Sequence, residues 1–224
     1  MGHNVYEKCC KYKAFQFVQK KQQEGQIKVV GMFFHDRAEL LDEILSKYGD
    51  GIDFVQLQIN YIDWEQPNVQ SRRCLKIANK YNKPVTVMES CKGGTLVNVP
   101  KEAEELMKAY HSEASVASWA LRFAASQASV FRVLSGMNSM EQVLDNTGTF
   151  RDFLPLNEDE NENEIIEKVV AIINANTAIP CTSCEYCTHD CPKDIAIPQH
   201  LPIREYLEDV KEKFEASSII PTRK

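Results

Sequence analysis

Two hundred and twenty-four residues, 43% of them apolar, suffice for one large α/β domain or one domain with a small appendage. A formal charge of −6 and a pI near 5.5 exclude a nucleic-acid surface, because phosphate binding needs clustered Lys and Arg that this sequence spreads thinly. No segment reaches the ~18 apolar residues of a membrane span. The opening MGHNVYEKCCKY has neither a basic leader with an apolar run nor a Ser or Thr at position 6. A soluble, cytoplasmic protein with no membrane and no nucleic-acid partner is expected.

From the N-terminus, KAFQFVQKKQQEG (13–25) has helical spacing and closes on Gly25, and IKVVGMFF (27–34) reads as a buried strand. AELLDEILSKYG (38–49) is a second glycine-stopped helix, followed by the strand FVQLQINY (54–61). SRRCLKIANKYN (71–82) leads through Asn82 and Pro84 into PVTVMES (84–90). ASVASWALRFAASQ (114–127) precedes VFRVLSGM (130–137), and SMEQVLDN (139–146) begins another helix. The order αβαβαβαβα predicts parallel strands joined by right-handed crossovers. After Phe153, NEDENENE (157–164) reads as a solvated helix start, IIEKVVAIIN (165–174) as an apolar stripe, and LPIREYLEDVKEKFEA (201–216) as a charged amphipathic helix.

Four of the eight cysteines crowd into CTSCEYCTHDCP (181–192). In a reducing compartment such a cluster reads as metal ligation; Cys9, Cys10, Cys74 and Cys91 are scattered and read as ordinary small side chains. Cys181, Cys184, Cys187 and Cys191, followed by Pro192, reproduce the C-x2-C-x2-C-x3-C-P run of bacterial ferredoxins, which holds a 4Fe-4S cluster. The rival is structural zinc, whose cysteine pairs normally stand ~12–20 residues apart. In two-cluster ferredoxins the fourth cysteine of a run serves the other cluster. Only one run is present, so Cys191 is the uncertain ligand; if it turns away, Cys9, Cys10, solvent or another chain must supply the fourth.

Over nearly its whole length the sequence resembles the bacterial and archaeal aldo/keto reductases with a ferredoxin-like tail. EGQIKVVGMFFHD (24–36), DFVQLQINYIDWE (53–65), KPVTVMESCKGGTL (83–96), SWALRFAASQ (118–127), VLSGMNSMEQVLDN (133–146) and IPCTSCEYCTHDCPKDIAIP (179–198) carry the likeness. It implies an α/β fold: a partial TIM barrel, a (βα)4 half-barrel whose four strands correspond to the fifth to eighth of the family's barrel. The implied domains are a half-barrel over 1–153, a linker helix over 154–178, and an iron–sulfur segment with the C-terminal helix over 179–224. Of the catalytic tetrad only His3 has a counterpart; it lies at the extreme terminus and is expected to be mobile.

For NADP(H), the resemblance implies a carboxamide contact at Gln56 and a ring-stacking position at Met88. It implies an adenosine-binding segment at Asn138, Ser139, Gln142, Asp145 and Asn146. Three departures stand out. Gln142 replaces an arginine for the 2′-phosphate, Phe33 replaces a small polar residue, and Ser90 replaces a proline, which is expected to free its turn. A second cysteine run also seems deleted before IAIPQHLPIREYLEDVKEKFE.

The implied function is an iron–sulfur-binding oxidoreductase of the family, a truncated copy with little or no carbonyl reductase activity alone. The alternatives are a noncatalytic electron-transfer module, one half of a split reductase, or a nonfunctional fragment. Expected partners are a second polypeptide completing the barrel or a second copy in a homo-dimer, together with a redox partner.

Overall fold

The computed structural model describes residues 1–151, 153, 155–156, 161–177, 188, 191–193 and 195–197. They fall into two compact units, Met1–Ala171 and a second beginning at Ile172. Among the described residues the first unit holds one four-stranded parallel sheet in sequential order: β1 (Gly31–Phe33), β2 (Phe54–Gln58), β3 (Val85–Met88) and β4 (Val130–Val133). Four parallel strands are therefore observed where the sequence pattern placed them.

Helices supply the crossovers. α1 (His3–Lys11) and α2 (Ala14–Gln23) precede β1, α3 (Ala38–Tyr48) joins β1 to β2, and α4 (Ser71–Lys80) joins β2 to β3. Between β3 and β4 stand α5 (Lys101–Tyr110) and α6 (Val116–Ala125); α7 (Met140–Arg151) and α8 (Glu162–Ala175) follow. The pattern missed α1 and α5. α2 ends in a Schellman motif: Gly25 takes φ 72, its N–H donates to Gln22 O, and Gln26 N–H reaches back to Lys21 O. Gly49, expected to stop α3 in the same way, keeps helical φ, and the chain tightens into a 3-10 turn over Gly49–Gly51.

Alternation along the strands divides the sheet into two faces. Met32, Val55, Leu57, Val85 and Val87 are buried on one, where α4 packs on β2 and α6 on β4. With Leu41, Ile44, Trp119 and Leu121 they form the core. The opposite face carries Phe33, Gln56, Thr86 and Arg132 in register across all four strands. It is far more open: Phe33 is 57% and Phe131 52% exposed. The Phe54 ring lies over Gly31, where a Cβ would come within 2.1 Å of it, so a larger residue at 31 must displace that ring.

The acidic run before α8 is not wholly solvated as expected. Glu162 is buried and accepts a bidentate pair from Arg122 at 2.7 and 2.9 Å, which fixes the start of α8 against α6.

Candidate functional site

All four strands point their C-terminal ends to one rim, the place where parallel α/β sheets gather ligands. On the open face below that rim, Gln56 and Met88 meet: Gln56 Nε2 lies 3.3 Å from Met88 Sδ, and both side chains are half-buried. A thioether is a weak acceptor, so this amide has hydrogen-bonding capacity left over. Between Gln56 and Arg132 sits Thr86, buried, with no partner for its Oγ1 among the described residues. Phe33 extends the row beyond Gln56 as bulk rather than as a donor.

The segment after β4 shows how its side chains are already engaged. Ser139 Oγ accepts from Gln142 N–H at 3.2 Å and Gln142 Oε1 accepts from Asn138 N–H at 2.9 Å, a variant of the capping box that opens α7. Asp145 Oδ2 accepts from Ser115 Oγ at 2.7 Å, while Ser115 Oγ in turn accepts from Ser118 N–H to cap α6. Asn146 is buried and donates to Ser135 Oγ at 2.9 Å. Asp145 and Asn146 therefore brace the rim, and Asn138, Ser139 and Gln142 shape the first turn of α7 beside it.

His3 is better held than its terminal position suggested. It opens α1, its backbone N–H donates to Asp36 Oδ2 at 2.8 Å, and its exposed imidazole Nε2 stands 3.3 Å from Glu7. Ser90 also corrects an expectation. Its turn is not freed by the loss of proline, because Ser90 is buried and its Oγ donates to Leu134 O at 3.1 Å, tying the turn to the end of β4.

Sequence reasoning missed a buried charged network on the same rim. Asp63, 1% exposed, accepts from Gln58 Nε2 and Asn60 Nδ2 at 2.7 Å each and from Lys92 Nζ at 2.5 Å. Asn60 also donates to Glu89 O, so one carboxylate joins the loops after β2 and β3. Backbone strain accompanies it: Glu89 and Lys92 both take left-handed φ, at 57° and 48°. The detectable signal was a lysine before Gly93–Gly94 just beyond a strand. Tyr61 lies on this rim too, its hydroxyl buried without a partner among the described residues and its phenol pushed well up by burial.

Of the cysteine run, Cys181, Cys184 and Cys187 lie outside the described residues. Cys191 is half-buried, and its N–H donates to Thr188 O at 3.1 Å. No group of three or more potential metal ligands occurs among the described residues. Cys74 is buried in the sheet–helix layer and Cys91 half-buried, both with thiols raised by burial, as suits packing rather than ligation.

A family model described as the aldo/keto reductase family matches residues 3–170. Among solved structures the chain is similar to aldo-keto reductase AKR11C1 from Bacillus halodurans. Its holo form gives a TM-score of 0.53 at 19% identity, over 69% of this chain and 54% of that one. An aldo-keto reductase from Klebsiella pneumoniae, solved in complex with NADPH, gives 0.52 at 16% identity, over 73% of this chain and 55% of that one. The chain thus spans a little over half the length of these structures. No curated protein sequence matches it. No helix among the described residues is long and apolar enough to cross a membrane.

Proposed function

The chain belongs to the aldo/keto reductase family, and on that premise we propose that it is the nucleotide-binding half of a reductase barrel, its strands corresponding to the fifth to eighth. In this reading it carries a 4Fe-4S cluster on Cys181, Cys184, Cys187 and, as the uncertain ligand, Cys191. The observation that carries the nucleotide site is the Gln56–Met88 pair: an amide whose acceptor is a thioether, beside the unpartnered Thr86 hydroxyl, on an open face. A nicotinamide carboxamide offers Gln56 a stronger partner, and Met88 gives the ring a polarisable surface. The Klebsiella pneumoniae relative, solved with NADPH, supports this choice of ligand.

The nicotinamide dinucleotide supplies a transferable hydride; the chain's residues bind and orient it. The dinucleotide's phosphates fit the first turn of α7, whose N–H groups follow Ser139 at the C-terminal end of β4. Gln142 Oε1 is taken by Asn138 N–H, so position 142 offers the 2′-phosphate no cation. NADH and NADPH should therefore bind comparably. His3 is exposed and its imidazole pairs with Glu7, and by the resemblance it is the one counterpart of the family's tetrad. Carbonyl reduction then depends on groups from the complementary half of the barrel, and these residues alone bind nucleotide without turning over.

Calorimetric titration of NADPH and NADH into the purified chain tests the site. Saturable binding of both, weakened about fivefold or more by Gln56→Ala, is expected for the loss of about 1 kcal/mol of hydrogen bonding. No binding, or binding indifferent to Gln56→Ala, refutes it. For the cysteine run, whose support is its spacing, anaerobic reconstitution should give iron and sulfide together with a paramagnetic signal on reduction. Cys191→Ser separates a ligand that closes the cluster from one that turns away. Stoichiometric zinc without iron overturns the assignment.

A further inference from the structure

A polar row crosses the open face of the sheet. Gln56, Thr86 and Arg132 are successive register partners on β2, β3 and β4, so their side chains share that face. Arg132 reaches the row through an irregularity: Val85 pairs with Val130, yet the next residue, Thr86, pairs with Arg132, so Phe131 is an extra residue in β4. Without that bulge Phe131 would stand opposite Thr86. Bulges are rare between parallel strands, and beside active sites they re-aim side chains.

Each member of the row has bonding capacity left. Thr86 is 3% exposed and its Oγ1 has no hydrogen-bond partner among the described residues, an arrangement that costs free energy until a partner arrives. Arg132 is exposed; among the described residues its guanidinium lies 5.2 Å from the Phe131 ring centroid and meets no carboxylate. Gln56 Nε2 has only the Met88 thioether, and Asp63, which Gln58 of β2 meets, is already paired with Lys92. A guanidinium and a hydroxyl on adjacent strands, both able to donate and with no acid between them, match the two oxygens of a carboxylate.

We propose that Arg132 and Thr86 form a carboxylate subsite, and that its ligand is a small oxo acid whose carbonyl lies toward Gln56. The inference rests on the nucleotide-site reading above and names the substrate class of that site. Neighbouring strands stand about 5 Å apart, so a carboxylate over β3 is one strand spacing from a nicotinamide held on β2, a gap that a short acid spans. Arg132 leaves the Phe131 ring to take both carboxylate oxygens, and the Thr86 hydroxyl beneath donates to one of them. The ligand's carbonyl oxygen accepts from Gln56 Nε2 and is a stronger acceptor than the thioether. A neutral carbonyl compound leaves Arg132 without a counter-charge and is selected against. Every member of the row stands on β2, β3 or β4, so the subsite uses nothing that precedes β2.

The test is titration of sodium pyruvate into the full chain at constant ionic strength, read by NMR at the Thr86 methyl and the Arg132 Nε–H. Expected is saturable binding, weakened about tenfold or more by Arg132→Met and about fivefold by Thr86→Val. Thr86→Val keeps the side chain's shape and removes a hydroxyl that has no partner, so its melting temperature should be unchanged or higher while pyruvate binding falls; a merely structural threonine would show the reverse. Methyl pyruvate, the same carbonyl without the charge, should bind about tenfold more weakly, and propionate, a carboxylate like that of an acidic side chain, about fivefold more weakly. No saturable shift at Thr86 and Arg132, indifference to both variants, or equal binding of methyl pyruvate overturns the proposal. So does propionate binding as well as pyruvate, which assigns the pair to a protein carboxylate. NADH should bind Arg132→Met as it binds the parent chain; a parallel loss assigns Arg132 to the nucleotide and overturns the subsite. Pyruvate is titrated without nucleotide, so a failure here is separable from a failure of the nucleotide site.

Discussion

Removing the Asp63 carboxylate should destabilise the first unit more than any other single polar substitution described here. Asp63 and Lys92 are both buried, and the carboxylate is the acceptor for Lys92, Gln58 and Asn60 together. Asp63→Ala leaves a buried ammonium without its counter-charge and two amides without their acceptor. Breaking a buried ion pair from one side costs ~3–5 kcal/mol, and the lost amide bonds overlap with that figure because the groups form one network. Against a typical total of ~5–15 kcal/mol this is a large fraction, and it corresponds to a fall of roughly 6–20 °C in Tm for a chain of this size. Urea unfolding followed by circular dichroism measures it directly. Lys92→Met in the Asp63→Leu background should recover much of the loss, since two apolar side chains no longer leave a charge stranded. A cost below about 1 kcal/mol for Asp63→Ala, or a double variant no better than the single, would refute the claim that the carboxylate is holding a desolvated charge.

Trp119 is fully buried with no partner for its Nε1 among the described residues, so Trp119→Phe should cost less than about 1.5 kcal/mol while Trp119→Ala costs about 3–5, both read by thermal melts. Burial pushes the Cys74 thiol up to about 12, so in the native chain at pH 8 mass spectrometry should find it unmodified by iodoacetamide, whereas the less buried Cys9 and Cys10 react. Desolvation pushes the Met1 amine down from 8.0 to about 6, ahead of the opposing attraction of Asp36, and burial followed by repulsion from that amine lowers His35. Both protonated forms are disfavoured in the folded state, so the unfolded chain binds more protons and stability should rise with pH from about 6 to about 8; melts across this range check it, and acetylating Met1 should flatten the upper part. Ser90→Ala removes the bond to Leu134 O and should cost about 1 kcal/mol while loosening the rim, visible as faster exchange at the amides of 89–94.

The strands were legible because each carries buried β-branched or aliphatic residues facing the helices, and the breaks at Gly25 and Asn82 supplied the left-handed residues their turns required. β1 came out shorter than its apolar run because Val29 is exposed and pairing with β2 begins at Gly31. α5 escaped notice although Ala103 and Met107 form a buried i, i+4 stripe and Lys108 pairs with Glu104 on the other face; two apolar positions in a charged segment are a faint signal. At the site, Gln56 and Met88 could be named from resemblance, and their adjacency follows from strands paired in register. The Asp63–Lys92 network could not be read, because its members lie 29 residues apart and only the crossover brings them together. Glu162 was misread for a related reason: within an acidic run nothing local marks the one carboxylate that meets an arginine 40 residues earlier.

The division between the two sheet faces bears directly on function. The helix-facing side is a finished core, with Val55, Val85 and Val87 fully buried. The opposite side mixes amides, a hydroxyl and a guanidinium with aromatic rings: Gln56, Gln58, Thr86 and Arg132 stand among Phe33, Phe54 and Phe131, with Phe54 and Phe131 meeting edge to face at 6.0 Å. An ordinary solvent face would carry fewer aromatic rings, and an ordinary core would not leave the Thr86 hydroxyl without a partner. Apolar surface interrupted by a few convergent polar groups is the composition of a surface that meets a ligand or another layer of protein. The rim above it is braced by Asp63, Ser90 and Asn146, so that surface is held in shape before anything binds. Pre-organisation of this kind places the polar groups for a ligand in advance, which is why Gln56→Ala should weaken nucleotide binding while leaving the fold intact.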